Sequence, residues 1–170
     1  MAKRLHYDFY SKNALEAAPL LLGKILAKRQ DSGGILRLRI TETEAYCGEE
    51  DTACHAKAGK TARTAVMYEK GGLAYIYLCY GIHHLLNVVT GSEGEPQAIL
   101  IRGVEGFDGP AKLTKALGID QSLNGENLIF SKNLWIEDDG FVPKHHTAAR
   151  VGIDYANEQY KNALWRFIAY

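Results

Sequence analysis

The chain has 170 residues, 46% of them hydrophobic and 24% charged, and its 20 basic and 20 acidic side chains give a formal net charge of zero. That composition fits a single globular domain, 1–170, with a real core, and argues against a disordered, collagenous or disulfide-stapled protein. The balanced charge excludes an indiscriminate basic clamp on nucleic acid, and no apolar run reaches membrane-spanning length.

The opening residues MAKRLHYDFYSKN lack the apolar centre of a signal peptide. Three cysteines, Cys47, Cys54 and Cys79, are an odd number that suits free thiols, so a cytoplasmic protein is expected. Asn13 to Leu22 reads as a short helix, with Gly23 breaking into a strand from Lys24 to Gln30. The turn Asp31-Ser-Gly-Gly34 then returns the chain into a second strand, so Lys24 to Tyr46 is expected as a β-hairpin. Cys47 to Lys70 is a long polar loop, and loops of that length in a compact domain are usually functional. Strands are expected at Leu73–Cys79, Leu85–Thr90 and Gln97–Val104, with turns at Tyr80-Gly81 and Gly91–Glu95. Pro110 opens a helix that Gly118 closes. Trp135–Val142, Arg150–Ile153 and Ala163–Ala169 read as short strands. Many short strands with few helical periods predict an α+β fold, mainly antiparallel sheet with helices packed around it.

The second strand of the hairpin, Ile35 to Tyr46, carries an alternation that passes from apolar to acidic. Period two places Leu36, Leu38, Ile40, Glu42, Glu44 and Tyr46 on one face, with Glu42 the deeper of the two acids. A carboxylate at the end of a buried face is costly unless it is bonded or solvated in a cleft, which makes it a candidate for chemistry. Tyr75 to Asn87 adds three tyrosines, two histidines and an asparagine, so an acid in an aromatic pocket is expected. Tyrosines in strands are mostly packing, and Tyr75 is assigned to the core. Arg102 interrupts the apolar run Ala98–Ile101, an expensive position for a guanidinium unless it faces an acid or an anion.

Basic segments flank the acidic one. Residues 1–40 hold eight Lys or Arg, 41–55 hold five acids and no Lys or Arg, and Lys57, Lys60, Arg63 and Lys70 follow. Such a rim could grip phosphates around an acidic site, although solvated charged loops would look the same. Cys47, Cys54, His55, Cys79, His83 and His84 are numerous enough for zinc, but they lack the paired spacing of a closed zinc site and the His-x-Glu of zinc deaminases. No metal and no cofactor are expected, and there is no phosphate loop, dinucleotide fingerprint or nucleophile elbow.

The blocks RITETEAY (Arg39–Tyr46), GEEDTACH ending at His55, LAYIYLCYG (Leu73–Gly81) with Asn87, LIRGVE (Leu100–Glu105), GPAKLTKALGI (Gly109–Ile119) and ARVGI (Ala149–Ile153) appear in order. In combination they closely resemble the alkyladenine DNA glycosylases, also called 3-methyladenine or methylpurine DNA glycosylases of the mammalian type. The resemblance implies a monofunctional enzyme that rotates a damaged purine out of duplex DNA and hydrolyses its N-glycosidic bond without cutting the strand. It makes Glu44 the activator of the attacking water and sets Arg102 beside it. Tyr46 and Tyr77 would sandwich the extruded base, with His55 at the same pocket, while Asn87 excludes normal guanine and Tyr80 fills the gap in the duplex. Glu42 is left a structural acceptor. Arg63 and Lys112 are expected against the DNA backbone. Alkylated purines are the expected substrates, with deaminated ones a further class, acted on by a monomer.

The chain departs from the family pattern in three places. Glu105 reaches Gly109 almost directly where human-type enzymes carry a long charged insertion, Ala62, Ala65 and Val66 replace more usual residues in the loop around Arg63, and His83 and His84 stand where relatives have aromatic or apolar residues. Two other functions remain open from sequence: a non-catalytic binder of damaged nucleic acid that uses the tyrosines only for stacking, and a zinc protein.

Overall fold

The structure, a computed structural model, describes residues 1–170. Its elements are β1 (Lys3–Arg4), α1 (Tyr7–Tyr10), α2 (Ala14–Leu21), β2 (Ile25–Arg29), β3 (Ile35–Cys47), β4 (Ala74–Cys79), β5 (His83–Val89), β6 (Gln97–Val104), β7 (Phe107–Asp108), α3 (Pro110–Leu117), β8 (Leu134–Asp138), β9 (His145–Ala148), α4 (Glu158–Lys161) and β10 (Arg166–Ala169). Ten strands form one antiparallel sheet in the order β1-β8-β2-β3-β6-β5-β4, with β10 pairing β3 and β9, and β7 pairing β6. The fold is α+β, as its turn chemistry and short alternating runs predict.

The helices start and stop where their caps dictate. The Asn13 side chain accepts the Glu16 N–H at 2.9 Å, and α3 runs from Pro110 to a left-handed Gly118. Both helices press apolar faces onto the sheet: Ala14, Ala17, Ala18 and Leu21 of α2 and Leu113 and Leu117 of α3 join Leu26, Ile76, Leu86, Ile99 and Ile101 in the main core. α2 lies against β3 and β6, and α3 against β5 and β6. The opposite face of β3 to β6 is thereby left for a site.

Strand β3 does not keep one phase. Leu36 and Leu38 pack on the main core and Ile40 lies within it, but so does Ala45, and the Thr43 hydroxyl bonds to the Ala18 carbonyl of α2 at 2.9 Å. Ile40 and Ala45 would face opposite ways on an unbroken strand. The register against β6 shifts on both sides of Glu42, a bulge that moves the core face from even to odd positions. Glu42, Glu44 and Tyr46 are thus turned away from the face that buries Ile40, contrary to the single apolar-to-acidic face expected from sequence. Gly103 makes the bulge possible, because a Cβ there would stand 2.9 Å from Thr41 Oγ1 and 3.3 Å from Glu42 Cβ.

Other boundaries also move. The expected strand at Arg150–Ile153 is a turn, since Arg150 is held by a buried ion pair and Gly152 takes φ +72°, and the strand lies upstream as β9. β8 stops at Asp138 because Asp138 and Asp139 accept the N–H groups of Gly140 and Phe141 in a turn. The long loop after Cys47 folds into two single 3-10 turns, His55–Ala58 and Ala65–Tyr68. No helix is long and apolar enough to cross a membrane.

Candidate active site

With Asp51, Glu44 is one of two fully buried acids in the chain. Its side chain has 0% exposure against 16% for Glu42, which reverses the expected depth order. The Val151 N–H donates to Glu44 Oε1 at 2.7 Å, the Tyr46 hydroxyl donates to Oε2 at 2.8 Å, and Arg102 Nε stands 3.7 Å from Oε1. Burial pushes the Glu44 carboxyl above the ordinary carboxylate range, against the Arg102 charge and those two hydrogen bonds, which favour the ionised form. Burial also pushes the Tyr46 phenol well up, with the Glu44 charge next in effect, so it stays a donor.

Arg102 lies closer to Glu42, with Nε 3.1 Å from Oε1, and Arg166 of β10 binds the same oxygen at 2.5 Å. Glu42 is therefore the shared acceptor of two guanidinium groups rather than of sheet backbone. That is a structural position, and it fixes Arg102 at the mouth of the site.

Beyond Glu44 opens a cavity of about 490 Å³. Its lining includes Tyr46 from β3, His55 and Arg63 from the long loop, Tyr77 and Tyr80 from β4 and its turn, Asn87 from β5, Arg102 from β6 and Val151 to Ile153 from the late turn. Of the nine side chains singled out from sequence, seven line this cavity, Glu44 lies directly behind three of its walls (Tyr46, Arg102 and Val151), and Lys112 sits apart, exposed on α3.

His55 meets the Tyr77 ring edge-on, with centroids 4.4 Å apart, and its Nδ1 lies 2.9 Å from the Tyr75 hydroxyl. Burial, with Arg63 and Lys57 adding to it, pushes the imidazole down to about 4. It is neutral at physiological pH, so it can pack on or hydrogen-bond an uncharged group without adding charge to the cavity. Tyr75 is buried, as its assignment to the core requires, but it also lines the cavity and bonds His55, a second task with no local sequence signal. Asn87 is 4% exposed and donates to the Tyr75 carbonyl at 3.2 Å, which fixes the direction of its amide.

Tyr80 occupies the tip of the β4–β5 hairpin. It is 91% exposed and is the only non-glycine residue with a positive φ, +52°. Leu78 and Ile82, also exposed, flank it and make an apolar prow beside the cavity. At the rim, Lys57 and Arg63 stand over the rings of Tyr155 and Tyr77 at 4.5 and 5.4 Å, Lys60 stands over Tyr68 at 5.7 Å, and none of the three has a carboxylate partner. The six histidines and cysteines weighed as zinc ligands do not gather, and no three His, Cys, Asp or Glu side chains come together so as to hold an ion.

Sequence reasoning missed Val151, Tyr155, Asp51, Arg150 and Arg166. The first and fourth lie inside the ARVGI block, whose role near Glu44 depends on contacts about a hundred positions away in sequence.

The family model described as methylpurine-DNA glycosylase (MPG) matches residues 8–108 and 105–170. A protein of Psychrobacter cryohalolentis is 42% identical across 95% of this chain and 89% of its own length. One of Natranaerobius thermophilus is 40% identical across 96% and 94%, and one of Methanocella arvoryzae 43% identical across 94% and 89%. All three are provisionally named 3-methyladenine DNA glycosylases. These relatives are bacterial and archaeal, so they lend nothing to the mammalian-type qualifier. With the match running over nearly the whole chain, the protein belongs to the methylpurine-DNA glycosylase family.

Proposed function

We propose that the protein is a monofunctional DNA glycosylase that extrudes alkylated purines from duplex DNA and hydrolyses the N-glycosidic bond with Glu44 as general base. One observation carries this reading. A fully covered carboxylate, pinned by a backbone N–H, a phenol and a nearby guanidinium, stands behind the wall of an aromatic cavity open to the surface.

The chemistry follows from the groups present. Water adds to the anomeric carbon as the bond to the purine nitrogen breaks, the bonding pair leaves with the base, and the water proton passes to Glu44. Positive charge that develops on the sugar is opposed by the same carboxylate. An N3- or N7-alkyl purine already carries positive charge and departs as a neutral base. A neutral deaminated purine lacks that advantage and forms a second, slower class of substrate. Glu44 has no exposed surface, so water reaches it only when the Tyr46 hydroxyl or the Arg102 side chain gives way as the base enters. Tyr46 and Tyr77 supply the stacking faces, the neutral His55 and fixed Asn87 amide read the base edge, and Tyr80 fills the duplex. Arg63, unpaired at the rim, is suited to the DNA backbone, and Lys112 to a more distant contact.

Glu44→Gln tests the assignment. It keeps size and the bonding of Val151 but removes the base and its charge, so single-turnover release of base from alkylated duplex should fall by at least about a hundredfold. Binding of the damaged duplex should survive, since the variant repels phosphates less. Parental excision by Glu44→Gln would remove Glu44 from the chemistry, and damaged-DNA binding without base release by the parent would make the protein a binder rather than an enzyme.

A further inference from the structure

We infer that the buried Asp51–Arg150 pair is a positioning device for the reaction, setting the Val151 N–H and the Tyr46 ring that together hold and aim Glu44. Both side chains have 0% exposure. Arg150 donates through its two terminal nitrogens to Asp51 Oδ2 at 2.7 Å and Oδ1 at 3.0 Å, to the Ala45 carbonyl at 3.0 Å and to the Tyr160 carbonyl at 3.2 Å. Its guanidinium also lies against two rings, 4.7 Å from the Tyr46 centroid and 4.9 Å from that of Trp165. One side chain thus joins the long loop, the backbone between Glu44 and Tyr46, and the C-terminal segment.

Asp51 is equally committed on its own side. It accepts the Cys47 N–H at 3.0 Å and the Ala53 N–H at 3.1 Å, which fixes the loop that leads to His55. The residue after Arg150 is Val151, whose N–H grips Glu44 Oε1. A shift of Arg150 therefore moves the Val151 bond and the wall formed by Tyr46 together.

Stability alone is a poor reason for such a pair. Taking two charges out of water costs about as much as their attraction returns, and well-packed apolar replacements are often no less stable. Here the cost is higher still, because Arg150 Nε is buried without a partner. A pre-set carboxylate geometry is what the arrangement supplies, and misplacement of reacting groups by about 1 Å can cost on the order of a hundredfold in rate.

The inference rests on Glu44 being the base, and the experiment separates the two. Asp51→Asn/Arg150→Gln removes both charges together, so that no buried charge is stranded, and Arg150→Lys keeps the charge without the planar fork. Single-turnover excision is timed across pH beside Glu44→Gln, with damaged-duplex binding and thermal melting recorded for each. Besides Arg150, the ionisable groups facing Glu44 are Tyr46 of β3, Arg102 of β6, Tyr77 of β4 and Tyr155, and none of them is altered. Losing the Arg150 charge and a well-set Val151 bond disfavours ionised Glu44. The double variant should therefore show a rate at least about tenfold lower at neutral pH and an acid limb moved to higher pH, with binding within a few-fold of the parent. Arg150→Lys should move the limb less while losing most of the same rate. An unmoved acid limb, with a rate loss no greater than the unfolded fraction accounts for, would make the pair purely structural and overturn the inference. Parental activity in Glu44→Gln would overturn it together with the reading it rests on.

Discussion

Glu44 is buried and His55 half-buried on the same site, and removal from water moves the two groups in opposite directions. The Glu44 carboxyl is raised because its charge is taken out of water, so the folded state holds a proton at pH values where the unfolded chain has released it. Stability attached to that proton is present below the ordinary glutamate value and is lost as pH rises through the folded one. Glu44→Gln should consequently melt at a higher temperature than the parent at pH 8, and the gain should shrink as pH falls and the parent's own carboxyl protonates. His55 is pushed down to about 4, so between the free-imidazole value of about 6.5 and that point the unfolded chain binds a proton that the folded chain refuses. Its contribution is present above about 6.5 and disappears toward 4. Melting curves should show the parent losing more stability than His55→Gln between pH 6.5 and 4.5. Equal losses would mean that His55 titrates like an exposed residue.

At the level of elements, the β4–β5 hairpin gives the clearest separation of folding from function. Tyr80 makes no core contact, and its left-handed backbone costs energy that a loop under no other demand would avoid. Tyr80→Ala should leave the melting temperature nearly unchanged but weaken binding to a damaged duplex by about 1–3 kcal/mol, the scale of base–aromatic stacking, with a smaller loss on a flexible single strand. Equal losses on the two would make it an ordinary surface ring. This hairpin was legible because Tyr80-Gly81 is turn chemistry between two alternating runs, and the β2–β3 hairpin was legible from Asp31-Ser-Gly-Gly34 for the same reason. The slip within β3 was not. Thr41, Glu42 and Thr43 carry no breaker, and the residue that permits the bulge, Gly103, lies on the neighbouring strand. Arg150–Ile153 failed in a similar way, since the β-branched Val151 and Ile153 favour a strand until a buried ion pair takes the Arg150 side chain and Glu44 takes the Val151 N–H.

Across the whole molecule, the cavity draws walls from β3 to β6, the long loop and the late turn, and what was legible follows the range of the forces involved. Glu44 and Tyr46 stand out through local alternation, and Tyr77 and Asn87 through a local cluster of polar and aromatic residues that matches the family blocks, whereas Asp51 and Arg150, 99 positions apart, meet only in the folded chain. The zero net charge resolves likewise, because Lys57 and Arg63 are brought unpaired to one rim while other cations are spent in ion pairs. Strand cleavage by a glycosylase needs an amine that attacks the anomeric carbon and forms a Schiff base, and metal-assisted hydrolysis needs clustered ligands. The lining contains no lysine, Lys57 is held over Tyr155 at the rim, and no three ligating side chains converge. Purified protein should therefore release free purine from alkylated duplex at the same rate with and without EDTA. The product strand should stay intact until alkali or an abasic endonuclease is added, and borohydride should trap no protein–DNA adduct. Activity lost in EDTA and restored by zinc would put a metal in the reaction, and a trapped adduct would put an amine there. Either result would displace Glu44-activated water as the nucleophile.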